Sequence, residues 1–254
     1  MSNLIKIVII IPCWKRANIL SIVMDQLDYF HNATKNKIDV TVLYVFSLND
    51  PELKQILQHY HNAIHTRDLI YSSNEKLGKK HNDGIRYAST MFEYDYIMNF
   101  GSDDLIHADI IDVYMPFMRM NVPLFGLKSV WFYEFKRPPL FFSYYNENHI
   151  VGAGRMIHRS VIDRVIDKFN GLYEPNLLRG MDTMSANRIM ECGIKQLIIP
   201  SGTFPYIVDI KSEVNINSFE KIRSSAKRRG LFSLDTCDLE EYFPILYQYR
   251  RQKP

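Results

Sequence analysis

Cysteine is scarce in this chain of 254 residues: Cys13, Cys192 and Cys237 are widely spaced, odd in number and form no CxxC pair. That excludes a disulfide framework and a cysteine zinc site and fits a reducing compartment; Cys13, at the end of an apolar run, reads as a buried structural thiol. An excess of one charge is also missing. The 31 Lys and Arg against 28 Asp and Glu give +3, so bulk electrostatics do not indicate a strong nucleic-acid binder. No apolar run approaches the roughly 18 residues of a membrane span. The N-terminal apolar stretch is broken by Lys6 and Pro12 and has no cleavage-like site, so it reads as a first strand and not a signal peptide. Glycine never falls into GxGxxG spacing: Val151-Gly152-Ala153-Gly154-Arg155 is no dinucleotide fingerprint. Repeats, low-complexity tracts and clean linkers are absent, which leaves one soluble, cytoplasmic domain as the expectation.

What is present is strand–helix alternation. Ile5–Ile11 is a β-branched run stopped by Pro12, the pattern of a central parallel strand. Ala17–Phe30 carries helical spacing, Ile38–Phe46 is a second buried strand, and Asp50-Pro51 reads as the cap and first position of a helix to about Tyr60. A strand over Asp68–Ser72, a helix over Lys76–Phe92, a strand over Asp95–Phe100 and a helix over Ala108–Met120 complete a first half that predicts a parallel sheet flanked by helices. The second half changes character. Ser129–Phe135 and Leu140–Tyr145 flank Lys136-Arg137-Pro138-Pro139 as a hairpin, followed by the glycine-punctuated Val151–Met156. Arg159–Phe169 and Met181–Cys192 read as helices, Lys195–Pro200 and Tyr206–Ile210 as short strands. The last ~40 residues predict helix and a loose basic tail.

The most informative segment is Tyr96-Ile97-Met98-Asn99-Phe100-Gly101-Ser102-Asp103-Asp104. An apolar strand ends in a Gly-Ser turn bearing two adjacent carboxylates. Adjacent acids at a strand end repel and resist burial, and a divalent cation relieves both problems. In open α/β sheets ligands sit outside the carboxyl ends of the strands, so the segment points to a metal and phosphate site at the edge of a nucleotide-binding sheet. The competing reading is that Asp103 or Asp104 caps a helix starting near Leu105. Lys79, Lys80 and His81 open a helix after a glycine, where amides and ammonium suit phosphate; an exposed basic first turn is the alternative.

Four segments in order resemble GT-A glycosyltransferases, family 2 above all. Ile7–Arg16 resembles their opening strand, and Asn74–Ile85 their N-x-x-L-G-x-x-x-N-x-G-[IL] stretch. Gly101-Ser102-Asp103-Asp104 stands where the DxD motif belongs, and Gly180-Met181-Asp182 resembles the later G-E-D motif. The resemblance implies an α/β GT-A (Rossmann-like) fold, a mixed, mostly parallel sheet flanked by helices, as one domain over 1–254. Residues 1–120 would form its nucleotide-binding half, 121–215 the acceptor and donor-sugar half, and 216–254 a C-terminal extension.

The implied activity is a metal-dependent, hexosyltransferase-like reaction, inverting in outcome. A sugar moves from a nucleoside-diphosphate sugar to a hydroxyl-bearing acceptor, with Mn2+ or Mg2+ on Asp103, Asp104 and Asp209, or on His158 in place of Asp209. Asp182 is the implied general base, its alternative role being a helix cap. Pro12, Trp14, Arg16, Lys80, Asn82, Ser102, Gly154 and Arg188 are the implied donor-binding set, with Trp14 stacking on base or ribose and Arg16 holding phosphate or an acid. Trp14 as core edge, Arg16 as a solvated residue and Arg188 as a salt-bridge partner are the alternatives. Three departures stand out: Gly101 replaces the first Asp of DxD, Met181 replaces the Glu of G-E-D, and Phe46-Ser47-Leu48-Asn49-Asp50 replaces an acidic turn that reads uracil. The acceptor is a glycan, a lipid-linked sugar or a protein. The basic C-terminus keeps a nucleic-acid base open without favouring it. The rivals are a non-catalytic sugar-nucleotide or glycan-binding protein on the same fold, and a nucleotidyltransferase, against which the glycine-free loop after the first strand counts.

Overall fold

A computed structural model describes residues 4–135, 140–145, 148–212, 218–233 and 238–252. In chain order its strands are β1 (Ile5–Pro12), β2 (Ile38–Phe46), β3 (Arg67–Tyr71), β4 (Tyr96–Asn99), β5 (Asp104–Ile106), β6 (Leu124–Leu127), β7 (Ser129–Glu134), β8 (Leu140–Tyr145), β9 (Met156–His158), β10 (Leu197–Ile199), β11 (Ile207–Lys211) and β12 (Phe232–Ser233). The helices are α1 (Ala17–Thr34), α2 (Leu53–Asn62), α3 (Leu77–Met91), α4 (Ile110–Arg119), α5 (Arg159–Phe169), α6 (Met181–Glu191), α7 (Phe219–Arg228), α8 (Leu239–Tyr242) and α9 (Pro244–Gln252).

The β-branched runs produce what their pattern predicts. β1 is the centre of a seven-stranded sheet, order β10-β6-β9-β4-β1-β2-β3, and pairs in parallel with β2 and β4. Buried on both faces, it needs apolar residues at successive positions, which Ile7–Ile11 supply. β9 alone in this sheet runs antiparallel to its neighbours β4 and β6. The α/β fold with a mostly parallel sheet flanked by helices is therefore as the sequence implies.

A second, five-stranded sheet, order β12-β8-β7-β11-β5, holds the predicted hairpin β7–β8; its Lys136–Pro139 turn lies outside the described residues. Two expectations are corrected here, and one segment is assigned. Asp104 opens strand β5 and does not cap a helix, because its carboxylate is drawn back to the Gly101 amide and its backbone pairs with β11. Of the glycine-punctuated Val151–Met156 only Met156 enters a strand, β9; the residues before it form turns, in which Gly154 takes φ +72°. The C-terminus is no loose tail through Gln252: Phe219, Leu239, Phe243 and Leu246 are buried, and Tyr249 Oη donates to Asp25 on α1 at 2.7 Å. A smaller correction concerns Asp50, which lies in the turn before α2 and accepts from the amides of Lys15 (2.5 Å) and Glu52 (2.9 Å). No helix among the described residues is long and apolar enough to cross a membrane.

Candidate active site

The C-terminal ends of β1 and β4, the β5–β11 pair, and the start of α6 surround one cleft of about 840 Å³. Its walls carry Pro12, Trp14, Arg16, Ser102, Asp103, Asp104, Asp182, Asp209 and Lys211. This is the carboxyl-end placement expected of an α/β sheet.

Asp104 and Asp209 are directly opposed in the antiparallel register of β5 and β11, and Asp103 precedes β5 by one residue. The three carboxylates each place an oxygen within 4.8 Å of the others. Asp104 Oδ2 accepts the Gly101 amide at 2.6 Å. Burial first, then the Asp209 and Asp103 charges, pushes the Asp104 carboxyl well above its ordinary value. Burial raises Asp209 to about 7 against the pull of Lys211. Asp209 Oδ1 is buried with no hydrogen-bond partner. Clustered hard oxygens, one of them stranded, fit a divalent cation such as Mg2+ or Mn2+.

Two cations enter the same cluster. Arg16 Nη1 donates to Asp103 Oδ2 at 2.8 Å and its Nη2 to Ser102 Oγ at 2.9 Å. Arg16 and the preceding Lys15 both hold left-handed backbone, φ 61° and 54°, which aims the guanidinium across the β1–α1 loop instead of into solvent. Lys211, at the end of β11, donates to Asp209 Oδ2 at 2.6 Å and stands 4.0 Å from Asp103 Oδ2. Gly101 has a steric reason to be glycine: a Cβ there would sit 2.8 Å from Asp103 Oδ1 and 2.9 Å from Asp104 Oδ2.

Asp182 lies in the first turn of α6, after Gly180 in left-handed conformation. Its carboxylate rests against Gly152, where any Cβ would overlap it. Arg155, buried, donates to the Asp182 carbonyl at 3.1 Å and to Ser185 Oγ at 2.9 Å, tying the Gly152 turn to α6. Asn99 Nδ2 donates to the Gly152 carbonyl at 3.1 Å, and Tyr173 Oη to Asn99 Oδ1 at 3.2 Å. Trp14 lines the wall with His81, Asn74 and Leu77. Burial, with Lys80 adding to it, lowers His81 to about 4, so it is a neutral ring, packed on Tyr173 at 4.7 Å between centroids.

Four of the expected donor-binding residues lie behind the wall. Lys80 is fully buried, and its ammonium donates to the Cys13 carbonyl, Ser47 Oγ (2.8 Å) and Asn74 Oδ1 (3.1 Å). Asn82 is taken up by the Tyr173 backbone, donating at 2.7 Å and accepting at 3.0 Å. Gly154 faces Ile207, and its carbonyl accepts from Tyr114 Oη at 3.0 Å. Arg188 bonds the Gly171 carbonyl and Glu174, each at 2.7 Å, which is the ion-pair alternative. His158 is removed as a metal candidate: it pairs with Tyr96 at the N-terminal end of β4, the edge opposite Asp103, and caps α5. Cys13 is buried and pushed up to about 12 by desolvation, an inert thiol. Of the aromatic side chains on the β7–β8 hairpin, Trp131, Tyr133 and Phe142 are core, while Phe132 and Tyr144 reach the cleft wall. Sequence reading missed Lys211 and Arg155 as site residues. The signal for Lys211 was i, i+2 spacing from Asp209 on a strand, which puts both on one face.

The chain matches no protein-family model and no curated protein. Its fold is similar to solved structures. TarS residues 1–349 of Staphylococcus aureus in complex with UDP-GlcNAc superimposes with TM-score 0.58 at 12% identity, over 96% of this chain and 71% of that one. The mannosyltransferase PcManGT of Pyrobaculum calidifontis, in complex with GDP-Man and Mn2+, gives TM-score 0.56 at 13% identity over 97% and 69%. A 4-diphosphocytidyl-2C-methyl-D-erythritol synthase of Anaerococcus prevotii gives 0.50 at 10% over 89% and 99%. At these identities the likeness shows the shared fold.

Proposed function

We propose that this chain is a glycosyltransferase that moves a sugar from a nucleoside-diphosphate sugar to an acceptor hydroxyl. The observation that carries the reading is the meeting of the Asp103–Asp104–Asp209 cluster and Asp182 in one cleft at the carboxyl edge of the sheet. The likeness to two transferases bound to UDP-GlcNAc and GDP-Man supports it. Asp103 and Asp209, with Asp104 behind them, would hold Mn2+ or Mg2+. When bound, the ion supplies positive charge to the diphosphate leaving group. Arg16 adds a fixed cation beside Asp103.

The acceptor hydroxyl oxygen attacks the anomeric carbon as the bond from that carbon to the diphosphate oxygen breaks. The hydroxyl proton passes to the Asp182 carboxylate, and nucleoside diphosphate leaves with the bonding pair. A single displacement inverts the anomeric centre. Trp14 offers a face for base or ribose. The turn Phe46-Ser47-Leu48-Asn49-Asp50 stands where an acidic turn would read uracil, and in it Ser47 Oγ is engaged by Lys80 and the Ser72 carbonyl. We assign residues 1–120 to the nucleotide half and 121–215 to the acceptor half of one domain, working in the cytoplasm, with 216–254 as an extension whose basic residues give a nucleic-acid acceptor less support than a glycan, lipid-linked sugar or protein.

A nucleotidyltransferase is the second reading, favoured by the likeness to the erythritol synthase. The loop Pro12-Cys13-Trp14-Lys15-Arg16 counts against it, being glycine-free and lined by an indole. The test is release of nucleoside diphosphate from a panel of UDP-, GDP-, TDP- and CDP-sugars by wild type and Asp182→Asn. Turnover lost in the variant with donor binding retained is the expected result. Release of pyrophosphate from a nucleoside triphosphate would establish the second reading, and binding without any turnover the non-catalytic one.

A further inference from the structure

The acidic cluster carries its own counterions. Lys211 is nearly buried, with a side chain 9% exposed. Its ammonium stands over the Phe132 ring, 5.2 Å from the centroid, and reaches the same Asp209 and Asp103 carboxylates that offer themselves to a metal. The backbone fixes this position: β11 is held between β7 and β5, and Lys211 is paired with Glu134 in register. Arg16 completes the arrangement from the opposite wall, on Asp103. Three carboxylates thus meet two cations inside one cleft. Lys211 stands between two carboxylates, on the wall of the cavity where a diphosphate is required by the reaction proposed above.

We propose that Lys211 is a donor-binding residue, a built-in cation for the diphosphate, so that the chain retains nucleoside-diphosphate affinity when divalent ions are removed. The inference rests on the transferase reading for the identity of the ligand. Its physical basis is charge balance. A diphosphate entering the cleft brings negative charge beside Asp103 and Asp209, and an ammonium already desolvated there gives a stronger interaction than one in water. Lysine is suited to this as a point charge with three donors that can exchange a carboxylate for a phosphate oxygen without moving its stem. The same ammonium opposes a metal that arrives without nucleotide, because two positive groups then compete for one set of oxygens. The site therefore favours joint occupancy by metal and diphosphate over metal alone.

The test is isothermal calorimetry with UDP, GDP, TDP and CDP, in EDTA and in Mn2+, and with Mn2+ alone, on wild type, Lys211→Met and Lys211→Arg. Wild type should bind one nucleotide in EDTA. Lys211→Met, which keeps an unbranched side chain but removes the charge, should weaken that binding on the order of ten- to hundredfold. Lys211→Arg should restore most of it, and Mn2+ alone should bind Lys211→Met more tightly than wild type. A melting curve on each variant separates loss of binding from loss of fold. Wild type that binds nucleotide in Mn2+ but not in EDTA overturns the inference and leaves the transferase reading standing. So does equal EDTA affinity for wild type and Lys211→Met. No binding of any nucleotide in either condition overturns both.

Discussion

Asp104 and Asp209 stand directly opposite each other across the β5–β11 pair, a position where like charges destabilise a sheet. The strands hold them there because Val208 and Ile210 on β11, with Leu105 and Ile106 on β5, are buried in the core. Register, once fixed by the apolar positions, carries the carboxylates with it. Both groups are raised, Asp209 to about 7, so the folded chain binds more protons than the unfolded chain above pH ~4. Stability from this pair is present at low pH and is lost as pH rises through about 7.

A divalent ion replaces those protons. The stabilisation by Mn2+ should therefore grow from pH 6 to pH 8, read as the change in melting temperature at fixed Mn2+ concentration. Asp209→Asn should raise the metal-free melting temperature at pH 8 and abolish the Mn2+ response. A response equal at both pH values, or retained in Asp209→Asn, would remove Asp209 from the ligand set.

Gly101 argues a second prediction. Restoring the aspartate that a DxD motif has at this position should not strengthen metal binding, because even a Cβ intrudes on the Asp103 and Asp104 carboxylates. Gly101→Ala should destabilise by roughly 1–3 kcal/mol through overpacking. Gly101→Asp should be worse and should bind Mn2+ more weakly than wild type in a calorimetric titration. Tighter Mn2+ binding by Gly101→Asp would mean that the turn has room the present geometry denies it.

The sheet was legible because β1, β2 and β4 are buried on both faces, which writes a continuous apolar run into the sequence. The cleft was legible as a set of chain segments, since Asp103, Asp182 and Trp14 all sit at element ends. What the chain hid was direction. Lys80 and Asn82 occupy a helix start, where an inward and an outward polar side chain leave the same trace; only the backbone acceptors of Cys13 and Tyr173 decide it. Strand β5 has three residues, too few for periodicity, and its adjacent acids imitate a cap. The long C-terminal reach of Tyr249 to Asp25 is a contact between residues 224 positions apart, which local pattern does not encode.

Lys80 gives a third prediction. Its ammonium pins the ends of three chain segments, at Cys13, Ser47 and Asn74. Burial lowers it to about 8, so the unfolded chain binds more protons between about pH 8 and its ordinary value of 10.5. The Lys80 contribution to stability should rise with pH across that window, by about 3 kcal/mol for a shift of this size, against the opposite drift of the raised Cys13 thiol above pH 9. In Lys80→Met the rise should disappear, the protein should lose roughly 1–3 kcal/mol at pH 7 from stranded acceptors, and nucleotide affinity should change little. Urea unfolding at pH 7, 8.5 and 10 measures the first two. A large loss of nucleotide affinity with stability intact would return Lys80 to the donor site.

His81 makes the complementary case on the acid side. The ring is buried on the cleft wall against Tyr173, and burial, helped by the neighbouring Lys80, lowers it to about 4 from 6.5. Between those values the unfolded chain takes up a proton that the folded chain refuses. Stability from His81 is therefore complete above pH 6.5 and falls as pH drops toward 4, by about 3 kcal/mol. His65, buried beside Asp28 and also lowered, acts in the same direction, whereas His59, raised by its hydrogen bond to Asp25, loses its contribution only as pH rises above 6.5. Unfolding free energies at half-unit steps from pH 4.5 to 7.5 should show a difference between wild type and His81→Gln that shrinks as pH falls, the opposing contributions of Asp104 and Asp209 and that of His65 being common to both proteins. An identical slope in the two proteins would mean that His81 is already solvated, and that the wall on which the nucleotide base would lie is open to water.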